Sequence, residues 1–189
     1  MNHPLRKPMT VEQFLAWEER QELRYEFDGL QPIAMTGGSY AHDTISVNLT
    51  AALTNRLRGK PCQAHGSNLK IQTSTTVRYP DAYVSCGAYQ PDSKLGRDPV
   101  VIFEVLSAST EQTDLVFKNE EYEALPSVQR YMILRQDSIG GLMFERVDGD
   151  WVGHMLRPGA VLRMPEIGVE LPLAELYDGI DLTQPGADE

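Results

Sequence analysis

Asp81, Glu104 and Lys118 are the residues of this chain whose types and settings point most directly to chemistry. Asp81 sits in Val77-Arg78-Tyr79-Pro80-Asp81-Ala82-Tyr83-Val84, and Glu104 in Pro99-Val100-Val101-Ile102-Phe103-Glu104-Val105-Leu106. Both runs read as strands. A carboxylate inside an apolar run is costly to bury unless a cation, a metal ion or a proton offsets its charge. Lys118 lies three residues after Leu115, four before Tyr122 and seven before Leu125. That spacing places it on the inward stripe of a helix. Two carboxylates and an inward lysine suit a divalent-metal site. They equally suit a structural ion pair between Lys118 and Glu104. Asp81 has a plainer reading as well, because Pro80 marks a sheet edge where an aspartate can face water.

The elements that must position these groups are legible from pattern. Thr10-Val11-Glu12-Gln13 is a capping box at the start of a helix. Leu23–Phe27 and Gln31–Thr36 flank Asp28-Gly29, a hairpin signal. Glu26 alternates there with Tyr25 and Phe27 and reads on its own as an ordinary strand glutamate. Gly37-Gly38 breaks the strand as a simple turn, and Ser39 caps a helix with Ile45, Leu49, Ala52, Leu53 and Leu57 on one face. His42 shares that face near the helix start, where a histidine is normally a satisfied core residue. Gly59 and Pro61 end the helix. Strand-like runs follow at about 62–66, 68–73 and 77–86, with Lys70 alternating outward against Leu69 and Ile71. Pro99–Leu106 is almost continuously apolar, a strand covered on both faces. Ser109 or Thr110 caps the next helix, which runs to about Leu125 before Pro126. Val128–Leu134 is another strand. Leu142–Val147 and Trp151–Leu156 pair around Asp148-Gly149, and Pro172–Tyr177 forms a last helical turn. This order argues an α/β domain with a mixed sheet.

The order Pro80-Asp81, then Glu104-x-Leu106, resembles the PD-(D/E)xK nuclease superfamily. Tyr25-Glu26-Phe27-Asp28-Gly29, Met35-Thr36-Gly37-Gly38-Ser39, His42, Leu57-Arg58-Gly59, Glu104-Val105-Leu106-Ser107 and Lys118-x-x-x-Tyr122 narrow this. Together they resemble the Uma family of restriction endonucleases, from about Thr10 to Leu173-Ala174-Glu175-Leu176-Tyr177. The resemblance implies a restriction-endonuclease-like core: a mixed β-sheet flanked by helices, here with an added C-terminal β-hairpin region. It implies a metal-dependent endonuclease, with Mg²⁺ or Mn²⁺ held by Asp81, Glu104, Glu26 and the backbone carbonyl of Val105. Lys118 is then the catalytic lysine, and His42 a base or an outer support. Leu106 departs from the superfamily pattern, which has lysine there; in the family the lysine has moved to the following helix, onto Lys118.

Length and composition bound the rest. The chain has 189 residues and 41% hydrophobic content, enough for a single domain over 1–189, with an ordered core at about 10–177 and loose ends at 1–8 and 179–189. No apolar run approaches the ~20 residues of a membrane span, and the N-terminus does not read as a secretory signal. Cys62 and Cys86 have no CxxC or zinc spacing and read as free thiols in a cytoplasmic protein. The net charge is −10, which argues against an extended nucleic-acid surface. Yet residues 44–80 hold no acidic residue, while Arg56, Arg58, Lys60, Lys70 and Arg78 make that stretch +5. It reads either as a phosphate-binding face or as local helix-end chemistry. The resemblance implies a nucleic-acid partner, DNA rather than RNA. A homodimer is expected because the strands from Leu142 to Leu171 carry more apolar surface than the core sheet needs. Two rival functions remain: a non-catalytic dimeric binding or assembly module that keeps the nuclease fold, and a glycosidase-type hydrolase, since paired carboxylates also cut sugars.

Overall fold

The structure, a computed structural model, describes residues 8–88, 90–107 and 113–182. Helix α1 (Val11–Glu18) starts at the predicted capping box: Gln13 N–H donates to the Thr10 hydroxyl at 3.2 Å and Thr10 N–H donates to the Gln13 side chain at 3.0 Å. β1 (Tyr25–Phe27) and β2 (Pro32–Ala34) pair as a hairpin, with Gly29 at φ 92°. Helix α2 (Tyr40–Leu57) is capped by the Ser39 hydroxyl, and its predicted apolar stripe is buried. β3 (Gln63–Gly66) and β4 (Lys70–Gln72) follow. The strand run expected over 77–86 divides at Pro80, which has no N–H to continue a ladder. Val77–Arg78 form β5 in one sheet, and Ala82–Ser85 form β6 in another. Asp81 therefore stands at the crossover between two sheets.

β7 (Leu95–Gly96) and β8 (Pro99–Val105) come next, then a single π-helical turn at Thr113–Phe117 and the short helix α3 (Lys118–Glu123). The remaining strands are β9 (Arg130–Leu134), β10 (Gly141–Val147), β11 (Asp150–Leu156), β12 (Val161–Met164) and β13 (Val169–Pro172), and a 3-10 turn closes the described core at Leu173–Tyr177. β10 and β11 pair around Asp148 at φ 53° and Gly149 at φ 96°, as the Asp-Gly signal predicts. The cap expected at Ser109 or Thr110 lies outside the described residues. So do the ends expected to be loose, save Pro8 and residues 179–182.

The main sheet runs β11-β10-β9-β8-β6-β3, with β8 and β9 parallel and the other pairs antiparallel. A smaller sheet runs β2-β1-β5-β4-β7, and β12 pairs with β13 alone. The fold is thus mixed α/β with few helices. Alternation along β8 sorts its side chains. Val101, Phe103 and Val105 face the core built with α2, β12 and β13, while Ile102 faces the smaller core holding Tyr83, Tyr122 and Tyr131. Glu104 shares the Ile102 side by period 2. It occupies a position where an apolar residue would otherwise pack against α3.

Two expectations fail here. Lys70 does not point outward. It is buried and ion-paired with Glu18, because the end of α1 and the Tyr79 ring cover that face of β4. Cys62 and Cys86 are not free thiols: they flank the paired strands β3 and β6 and form a disulfide. The free-thiol argument for a cytoplasmic protein falls with them. Among the described residues no helix is long and apolar enough to cross a membrane.

Candidate functional site

Three elements deliver carboxylates to one cavity. Glu26 comes from β1, Asp81 from the crossover into β6, and Glu104 from the end of β8; Lys118 arrives from the first turn of α3 and His42 from the first turn of α2. All five line a single cavity of about 430 Å³, together with Val105, Ser107, Tyr79 and the Gly37-Gly38-Ser39 turn. The structure thus brings together every side chain that the sequence singled out.

Asp81 is not an edge aspartate, since β6 lies between β3 and β8. The backbone N–H of Val105 donates to Asp81 Oδ2 at 2.7 Å, which ties the two carboxylate-bearing strand ends together. His42 Nε2 lies 3.2 Å from the same oxygen. Gly38 makes room for this: a Cβ there would stand 2.7 Å from His42 Nδ1.

Glu104 and Lys118 are each 4% exposed. The Lys118 ammonium donates to Glu104 Oε1 at 2.8 Å, and the Tyr122 hydroxyl donates to the same oxygen at 3.1 Å. Burial and then the Glu104 charge hold the Tyr122 hydroxyl well above its ordinary pKa, so it remains a donor. Lys118 also lies 3.6 Å from Glu26 Oε1. Glu26 is engaged on both oxygens: Tyr79 N–H donates to Oε1 at 2.9 Å and Arg78 donates to Oε2 at 3.2 Å.

Sequence reasoning missed the support behind Glu26. Arg78 is buried and clamps Glu121 of α3 with two bonds, at 2.7 and 2.6 Å. Burial opposes the Arg78 charge, but the bonds to Glu121 and the charges of Glu121 and Glu26 outweigh it and raise its pKa. A signal existed: Glu121 stands three residues after Lys118, and Arg78 interrupts an apolar strand. The helix thus docks on the sheet through two ion pairs, and α3 is too short to be stable alone. Leu106, at the superfamily's lysine position, lines a separate apolar cavity of about 410 Å³ with Leu115 and Ile133.

The +5 stretch is not a free basic face. Arg56 pairs with Glu175, Lys60 donates to the Gly168 carbonyl, Lys70 pairs with Glu18, and Arg78 serves the site. Arg58 lines an open groove beside α2.

The chain resembles known proteins over nearly its whole length. The family model described as "Uma2: Putative restriction endonuclease" matches residues 11–174. The "Uncharacterized protein slr1290" of Synechocystis is 34% identical over 176 residues, covering 91% of this chain and 93% of that one. A second Synechocystis protein, "Uncharacterized protein sll1609", is 27% identical over 135 residues, covering 69% of this chain and 76% of the other. A solved structure from Anabaena variabilis, titled as a putative nuclease belonging to DUF820, superposes with a TM-score of 0.73 at 15% identity, covering 90% of this chain and 98% of that one. At that identity the likeness establishes a shared, nuclease-like fold.

Proposed function

The chain belongs to the Uma2 family, and from that premise we propose that it is a metal-dependent endonuclease that hydrolyses phosphodiester bonds in nucleic acid, DNA rather than RNA. The observation that carries this reading is the convergence of Asp81, Glu104 and Lys118 on one cavity from three different elements. The donor set is chemically apt for Mg²⁺ or Mn²⁺, because it offers hard carboxylate oxygens. Among the described residues no three His, Cys, Asp or Glu side chains cluster to hold an ion by themselves. The ion would therefore rest on Asp81 and Glu104, completed by a backbone carbonyl such as that of Val105 and by water, which Mg²⁺ characteristically retains. When bound, such an ion lowers the pKa of a ligated water and offsets charge on the phosphoryl oxygens.

The chain's own residues do the rest. Lys118 presents a fixed ammonium at the cavity wall, where it stabilises the charge that develops on the transferring group. Glu26 has N–H donors on both oxygens and steadies Lys118 as a second carboxylate, 3.6 Å from its ammonium. Tyr122 orients the Glu104 carboxylate. His42, beside Asp81, is placed to receive or return a proton. The reading includes a homodimer formed on β11, an edge strand of the main sheet that carries Met155 at 69% exposure.

Calorimetric titration of Mn²⁺ into wild type, Asp81→Asn and Glu104→Gln, beside a DNA cleavage assay, tests the proposal. Metal binding and cleavage should both disappear in the two variants. Unchanged affinity in both, or cleavage that survives a chelator, would overturn it.

A further inference from the structure

Resting on the endonuclease reading, we propose that the substrate presents unpaired bases, as a single-stranded or locally opened nucleic acid, and that Tyr40 and Phe117 stack on them at the mouth of the catalytic cavity. Tyr40 is 84% exposed and is the first residue of α2, next in the chain to the cavity-lining Ser39. Phe117 is 54% exposed and immediately precedes Lys118. Ile33, 43% exposed, lines the cavity itself. Among the described residues no hydrophobic core includes these side chains. Two exposed aromatics, each next in the chain to a residue lining the cavity, suit bases, whose π-faces stack without regard to sequence.

The charge pattern points the same way. A duplex-gripping surface draws its affinity from many Lys and Arg contacts to phosphate. Here the net charge is −10, and four of the five cations of the basic stretch are engaged within the fold. What adjoins the catalytic cavity is instead an open groove of about 570 Å³ that shares Asp81 with it and is lined by Asp43 and Val47 as well as by Thr54, Asn55, Asn68 and Arg58. Its hydroxyls, amides and one guanidinium can bond to the oxygens of a single sugar–phosphate strand without reading sequence, while Asp43 and Asp81 leave it without the surplus of positive charge that a duplex grip needs.

The test uses the full chain and a fluorescein-labelled, mixed-sequence DNA oligonucleotide, single-stranded or annealed to its complement. Binding is read by anisotropy in chelator, cleavage in Mn²⁺. Single strands should bind at least roughly tenfold more tightly than duplex, with a logarithmic salt slope near about −1. Tyr40→Ala and Phe117→Ala should each weaken single-strand binding by roughly 5- to 150-fold while leaving thermal stability unchanged. Equal or tighter duplex binding overturns the proposal, as does wild-type binding by both variants. It is also overturned if sedimentation shows either variant converting a dimer to a monomer with binding unaltered, for the aromatics are then subunit contacts. A chain that binds single strands in this way but cleaves nothing refutes the endonuclease reading alone. A chain that cleaves duplex with Tyr40 and Phe117 inert refutes only the stacking proposal.

Discussion

Replacing Lys118 by methionine separates the structural from the chemical role of its ammonium. Methionine keeps an unbranched stem, so the packing change is small. Glu104, 4% exposed, would lose its 2.8 Å donor, while the Tyr122 hydroxyl at 3.1 Å remains. Removing one partner of a buried pair costs roughly 3–5 kcal/mol, because a charge is left uncompensated. Tyr122 and the adjoining cavity place this site near the lower bound, at about 3 kcal/mol. For a domain of this size that is a fall in Tm of roughly 6–12 °C. Glu26 keeps its bonds from Arg78 and Tyr79 and adds little. Glu104→Gln should cost less, since Lys118 retains Glu26 at 3.6 Å. The double variant should cost less than the sum, with a coupling of about 1–3 kcal/mol. Calorimetric scans of the four proteins, without metal, give that cycle. Cleavage by Lys118→Met at 25 °C, where the fold remains intact, should fall by a further roughly 10²–10³-fold. Additive stabilities would refute the buried ion pair. Full cleavage by folded Lys118→Met would refute the catalytic role.

Four other outcomes follow from particular contacts. Gly38→Ala sets a Cβ 2.7 Å from His42 Nδ1, so it should displace the imidazole from Asp81 and reduce cleavage without loss of Tm; unchanged NMR shifts of His42 would count against this. Reduction of the Cys62–Cys86 disulfide should lower stability by about 3–4 kcal/mol, from the closure entropy of the chain it spans, and a Tm unmoved by dithiothreitol would exclude it. The Tyr83 hydroxyl is buried with no hydrogen-bond partner among the described residues, so Tyr83→Phe should be neutral or raise stability by about 1 kcal/mol, and a clear loss in urea denaturation would show an unrecognised partner. Burial lowers the pKa of His65 below 6.5, so the unfolded chain binds its proton first; stability should be steady above that pH and fall as pH drops through 6.5 towards the folded value, and His65→Gln should flatten that slope.

The parts of this structure legible in the sequence are those fixed by local rules. The Thr10 capping box, the Ser39 cap, the stripe of α2 and both Asp-Gly hairpins depend on contacts within a few residues, and each formed as read. Glu104 was conspicuous because a carboxylate in an apolar strand needs a partner, and helical spacing nominated Lys118. What stayed hidden depends on pairing across the chain. Lys70 alternates with Leu69 and Ile71 and so reads as outward, but α1 brings Glu18 over that face of β4 and covers it. The cysteines lie 24 residues apart, and only the register of β3 against β6 makes them neighbours. Arg78 looked like part of a basic patch until the fold placed Glu121 and Glu26 against it.

Those hidden pairings explain how so short a helix can hold Lys118 at the cavity. A lysine on the β8 strand would inherit the rigidity of the sheet. α3 has only six residues and no side-chain cap, so its own hydrogen bonds cannot hold it in place. It is fastened instead by Lys118 and Tyr122 to Glu104, by Glu121 to Arg78, and by Asn119 to the Trp151 indole. Glu104 is thus both a proposed metal ligand and the anchor of the helix that carries the lysine. Arg78 closes the loop, because it holds Glu121 of the helix and Glu26 of the cavity at once. Docking of α3 and assembly of the site are therefore one event: loosening the helix withdraws the ammonium, and losing the ammonium loosens the helix. Arg78→Lys should act at a distance through this linkage. It keeps a charge but cannot make the two-toothed bond to Glu121, so hydrogen exchange should quicken across residues 118–123 and cleavage should fall although Asp81 and Glu104 are untouched. Unaltered exchange in α3 would show that the helix is held without the clamp.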